Sequence, residues 1–152
     1  MVPGIVYLSR PSDTDTDQPA AFGAMAYGLD SSFGFRVFRP GLNSTGGAFT
    51  ISQVHQWDIT AGVSHKQVIQ GDAQTQSSDM AGVSMSATPD GSWGWFCSYG
   101  WTPCAGVFAV DNTVKTAAAG AVTNSTSGAG DSRLIVGRTV VANTSIFVQG
   151  IL

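Results

Sequence analysis

The chain has 152 residues, a formal net charge of −3 and 11% charged residues, against about 25% charged in ordinary soluble domains. That length suits one domain with its own core, and seven Lys and Arg without a basic run argue against nucleic acid as a partner. No stretch approaches the roughly 20 apolar residues of a membrane helix, and the start MVPGIVYLSRPSD lacks the basic and apolar regions of a signal peptide. The expectation is a protein made in a cytoplasm, with no membrane partner. Its surface must be largely hydroxyl, amide and bare backbone, which suits an assembly component better than a freely diffusing monomer.

In chain order, Ile5-Val6-Tyr7-Leu8 is a short apolar piece. Pro11 to Pro19 follows, without an apolar side chain between its two prolines, and reads as an extended connector. Residues 1–21 are therefore expected to form an extended N-terminal arm, and residues 22–152 a single β domain. Asp13, Asp15 and Asp17 resemble the start of a calcium loop, but the glycine and glutamate that such a loop needs are missing, and a solvated arm is preferred.

Short strands then recur. Phe33 to Arg39 alternates, with Phe33, Phe35 and Val37 on one face, and is expected to end at Pro40-Gly41. Phe49 to Trp57, Val63 to Ile69 and Met80 to Met85 are strand-like. Ser92 to Tyr99 groups Trp93, Trp95, Cys97 and Tyr99 on one face, and Tyr99 to Pro103 is expected to be a hairpin turn. Gly106 to Val110, Arg133 to Val141 and Ser145 to Gln149 complete the set, with Ala117 to Gly130 expected as a strand-edge loop. No long window carries a 3.6-residue apolar period. The predicted fold is all-β: a compact β-barrel or β-sandwich of about eight short strands with an extended N-terminal arm.

Candidate chemistry is sparse. His55, Asp58 and His65 are the residues from which a small hydrolase or a zinc site would have to be built, but no nucleophile motif or ligand spacing accompanies them. The chain has no glutamate, and its aspartates mostly occupy turn signals. Cys97 and Cys104 have a C-x₆-C spacing that matches no redox or metal motif; two buried thiols are preferred over a disulfide. Trp93 and Trp95 are expected to pack in the core or at a subunit interface with the two cysteines. No catalytic residue, metal or cofactor is assigned, and the chain is not expected to be an enzyme.

Two passages carry a family resemblance. Gly23 to Phe38 resembles the opening strand pair of the small head-decoration (cement) proteins of tailed bacteriophages, and Met80 to Phe96 (MAGVSMSATPDGSWGWF) resembles a recurrent passage of theirs. The chain end is similar too: Ala105-Gly-Val-Phe, an Ala/Gly/Thr-rich stretch, then Gly130 to Arg138 and a final apolar strand. The arm before Phe22 and the cysteine pair around Trp101 depart from the pattern. The resemblance covers about residues 22 to 152 and implies a non-enzymatic structural protein of the virion. Such a protein binds the outer surface of an icosahedral shell of major capsid protein, stabilises it, and often forms homotrimers. Ile5, Val6, Tyr7 and Leu8 are then expected to anchor on a neighbour's sheet edge, and Trp101 and Pro103 to be exposed contacts. The alternative is a carbohydrate-binding module of a phage tail or spike that uses exposed tryptophans.

Overall fold

A computed structural model describes residues 6–20, 24–58, 67–70, 80–109, 113–125, 135–141 and 144–149. Ile5, His65 and residues 63–66 of one expected strand lie outside the described residues. The chain is all-β: a 3₁₀ turn at Ala118–Gly120 is the sole helical element among the described residues.

Local chemistry starts the sheet. Asp30 Oδ1 accepts the backbone N–H groups of Ser32 at 2.7 Å and Phe33 at 3.1 Å. This side-chain-closed turn joins β2 (Ala26–Asp30) to β3 (Gly34–Asn43) as an antiparallel hairpin, and β1 (Val6–Tyr7) lies parallel on the far side of β2. The remaining strands are β4 (Val54–Trp57), β5 (Gln67–Gln70), β6 (Met80–Ser84), β7 (Trp93–Pro103), β8 (Gly106–Val107), β9 (Thr113–Thr116), β10 (Val122–Asn124), β11 (Ile135–Val141) and β12 (Ser145–Gln149).

The two longest strands organise the rest. β3 and β7 pair antiparallel from Val37↔Tyr99 to Leu42↔Trp93. On their outer edges β5, β4 and β6 connect them in turn, so that β3-β5-β4-β6-β7 closes on itself as a small barrel. Beyond the barrel, β2 and β1 extend the sheet from β3, while β12, β11, β9, β10 and β8 extend it from β7. The core runs across this frame as a cross-strand row. Phe38 faces Cys97, Cys97 faces Val83 and Val83 faces Val54, and all four are fully buried. Burying a Phe or Val side chain contributes roughly 1.5–3 kcal/mol, and Trp95, Ile146, Val148, Val114 and Val122 join the same cluster.

Several expectations are corrected. β3 does not end at Pro40-Gly41 but runs through them to Asn43. Proline lacks a ladder N–H, and the amide of Asn43 points to β7, donating to the Ser92 carbonyl at 2.9 Å. Ladder alternation then points the Pro40 nitrogen to the other edge, between the β2 pairing, which stops at Phe38, and the β5 pairing, which starts at Leu42. Among the described residues no strand pairs there, so no ladder bond between them is lost. Tyr99 to Pro103 is not a hairpin turn either; β7 continues through Pro103 because β12 pairs with it from Gln149↔Tyr99 to Ser145↔Pro103. The strand expected from Phe49 begins only at Val54, after a turn, and the Ala-rich stretch read as a loop contains β10, paired with both β9 and β8.

Trp93, Trp95, Cys97 and Tyr99 do not share a face. Val37 opposes Tyr99 and Phe38 opposes Cys97, so Ser98 is an extra residue, a β-bulge, with its hydroxyl donating to the Val37 carbonyl at 3.3 Å. A bulge inverts the side-chain alternation beyond it. Trp95 and Cys97 point into the main core, and past Ser98 the pattern reverses: Gly100 and Thr102 are buried while Tyr99, Trp101 and Pro103 are half-buried. Gly100 sits at φ +107°, and a Cβ there would lie 2.6 Å from the Phe35 carbonyl oxygen. Gly100→Ala is therefore expected to lower stability by about 1–3 kcal/mol, read by chemical denaturation; an unchanged midpoint would contradict the bulge-and-kink account.

Candidate docking face

The inverted alternation on β7 builds a surface. Register places Tyr7 beside Tyr27, Leu29 beside Phe35, Tyr27 beside Val37, Val37 beside Tyr99, and Trp101 beside Phe147. Directly opposed residues share a sheet face, so these side chains form one row across β1, β2, β3, β7 and β12. Ring contacts follow it: Tyr7–Tyr27 at 5.5 Å, Tyr27–Phe35 at 6.2 Å, Tyr99–Phe147 at 5.2 Å and Trp101–Phe147 at 5.0 Å between centroids. Tyr7 is 53% exposed, Leu29 67% and Phe35 51%, so half or more of each meets solvent, while Tyr27, Val37, Tyr99, Trp101 and Phe147 are half-buried. No member of the row is charged, and Arg138 stands opposite Phe147 in the β11–β12 ladder at one end.

Farther along β3 and β7 the same face is covered. Phe96, opposite Arg39, is fully buried and packs on Phe49 and Ala81. Loop residues supply that cover: the Phe49 amide donates to the Thr88 carbonyl at 2.9 Å, and Asn43 Nδ2 donates to the carbonyls of Gly47 and Thr88 at 2.7 and 2.9 Å. Thus one sheet face has a roofed half and an open aromatic half.

On β3 the buried alternation is Arg36 and Phe38, and Phe35 and Val37, which the sequence places on one face, lie on the opposite side. Arg36 is accommodated there because its guanidinium lies 5.3 Å from both the Phe33 and Phe38 ring centroids and donates to Asp30 Oδ2 at 3.1 Å. Hydrogen bonds from the Ser32 and Phe33 amides, with the charge of Arg36, hold the Asp30 carboxyl below the usual carboxylate range.

His55 is fully buried, its ring 4.1 Å from that of Phe49 and 5.3 Å from that of Phe96. Asp58 is half-buried at the end of β4, and His65 lies outside the described residues. Among the described residues no group of three or more His, Cys, Asp or Glu could hold a metal ion. Trp93 and Trp95 are buried, as are Cys97 and Cys104, which are free thiols. Of the expected contact residues, Tyr7 and Trp101 fall on the open aromatic row, with Pro103 following on the same face. Leu8 turns the other way and packs against the core. Val6 pairs with Ala26, and Asp15 forms an isolated bridge with Trp93.

Tyr27, Leu29, Phe35, Tyr99 and Phe147 also lie on this row and are not among the contact residues that the sequence singles out. The signal for them is an apolar alternation on both arms of the β2–β3 hairpin, with Gly28 and Arg36 on the opposite alternation.

Burial pushes both the Cys97 and Cys104 thiols up from 9.0 to about 12. An acid whose folded pKa is raised stabilises the fold fully below its unfolded pKa, and loses that contribution as pH climbs toward the folded value. Stability is therefore expected to fall between pH 9 and about 12, less steeply in a Cys97→Ala/Cys104→Ala variant, as read by denaturant titration. Parallel slopes would contradict thiol burial. No family model, curated protein or solved structure matches the chain.

Proposed function

We propose that this chain is a structural virion protein, a decoration protein that docks on the outside of an icosahedral capsid and stabilises the shell. The observation that carries the reading is the open aromatic row from Tyr7 to Trp101 on a sheet whose other face is core. Covering apolar area contributes about 25 cal/mol per Å², and Tyr and Trp are the side chains that most often anchor protein interfaces. The scarcity of charge suits a permanently covered surface. The resemblance of Gly23 to Phe38 and Met80 to Phe96 to head-decoration proteins supports the partner, the major capsid protein, and the homotrimeric arrangement.

The aromatic row also favours a carbohydrate-binding module. A flat sugar platform needs rings in one plane, whereas Trp101 meets Phe147 at 71° and Tyr99 meets it at 79°. Tyr27 and Phe35 lie within 25° of parallel, so the row combines one stacked pair with edge-to-face pairs, and that mixed contour favours a protein partner over a flat sugar ring.

The test is co-sedimentation with particles of the virus that encodes the chain. Wild type should pellet with the capsids at many copies per particle and raise their melting temperature. Phe35→Asp and Trp101→Ala, both on half-open positions, should cut occupancy at least tenfold while leaving the free protein folded. Wild-type protein that stays in the supernatant, or glycan binding lost in Trp101→Ala, would overturn the reading.

A further inference from the structure

The N-terminal strand is held by little, and what holds it is self-complementary. Val6 pairs with Ala26 and Tyr7 with Tyr27 in a two-residue parallel ladder. The Leu8 amide donates to the Tyr27 carbonyl at 2.7 Å, and the Leu8 side chain packs against the core. The seat is shaped for this segment: a Cβ at Gly28 would lie 3.0 Å from the Leu8 carbonyl oxygen and 3.1 Å from the Phe38 ring. Among the described residues β1 terminates the sheet, and none of their strands pairs with its outer edge.

The chain is tied down again only at Asp15. Its amide donates to the Trp93 carbonyl at 3.1 Å, and the Trp93 amide donates to the Asp15 carbonyl at 2.7 Å. Between the two ties, Ser9 to Thr14 contains no apolar side chain apart from Pro11, and it forms one turn, with the Asp13 amide donating to the Arg10 carbonyl at 3.2 Å. Fully extended, the seven steps from Leu8 to Asp15 reach roughly 24 Å, the scale of a step to an adjoining subunit.

We propose that Val6 to Leu8 is an exchangeable strand, and that the seat on β2 accepts the same segment from a second copy of this chain. Exchange swaps like for like: every ladder bond, the Tyr7–Tyr27 ring contact and the Leu8 plug are remade between copies, so the balance is set by the Ser9–Thr14 hinge and by concentration. A short edge ladder opens at low cost compared with the whole fold. Reciprocal exchange gives a two-fold dimer, and head-to-tail exchange around an axis gives a closed ring. The inference stands independently of the docking reading, since it concerns contacts between copies in free solution.

The experiment mixes two full-length variants, unlabelled Tyr7→Cys and ¹⁵N-labelled Tyr27→Cys, at increasing concentration under mild oxidation. Disulfide-linked peptides are then read by mass spectrometry. Tyr7 and Tyr27 are register partners, and neighbouring strands about 4.8 Å apart satisfy disulfide geometry. The double variant Tyr7→Cys/Tyr27→Cys should link within one chain when dilute, which shows that the seat forms. The mixture should yield a light–heavy link that rises with concentration and exceeds by at least tenfold the link of Tyr7→Cys with labelled Leu29→Cys, an exposed position out of register. An intrachain link in the double variant with no light–heavy species at any concentration would overturn the proposal. So would equal yields with the Leu29→Cys control, the mark of random collision.

Discussion

The β3–β7 ladder, with one extra residue at Ser98, is the constraint on which the rest of the molecule depends. These strands are long enough to belong to two structures at once. Over Phe38–Leu42 and Trp93–Cys97 they are neighbours in the small barrel, and toward Gly34 and Pro103 they form the middle of an open sheet. In an antiparallel pair the side-chain period is two, so a single inserted residue exchanges the two faces. Ser98 makes that exchange where the barrel gives way to the open sheet. The strand buries Trp95 and Cys97 on one side of the bulge and turns Tyr99 and Trp101 outward on the other.

The consequence is a division of labour among aromatic residues that look alike in the chain. Phe38 and Phe96 are fully buried, one on each face of the ladder, and Phe96 has its own cover of Phe49 and Ala81. Phe35, Tyr27, Tyr99 and Phe147 face the same way as Phe96, but Phe35 is exposed and the other three are only half-buried. The buried Arg36 belongs to the same logic. Once Phe35 and Val37 point outward, the alternation forces Arg36 inward, and its charge is made tolerable by Asp30 and by two aromatic ring faces. A charge is placed in the interior while Tyr7, Leu29 and Phe35 are left exposed, and this exchange builds the face on which the proposed docking rests.

Parts of this were legible in the residues. β-branched and aromatic runs between turn residues identify an all-β chain, and Asp30 marks the hairpin turn through chemistry that acts over two or three residues. The strand through Pro40 was not legible, because a proline is excluded from a ladder only when its missing N–H faces a partner. That depends on where β2 stops and β5 starts. Nor was the fate of residues 6–20: Leu8 finds the core and Asp15 finds Trp93 only because distant strands bring those partners together.

The strand class and the scarcity of charge follow from side-chain chemistry and from contacts a few residues apart, and the residues alone carry them. Which alternation is core and which is surface is set by long-range packing. Phe33-x-Phe35-x-Val37 and Arg36-x-Phe38 are both complete period-two patterns, and local sequence does not say on which side a second layer will lie. That choice is made by long-range pairing: a bulge opposite Val37, a barrel closed by Leu42↔Gln67, and loops that roof one half of a sheet face and leave the other half open.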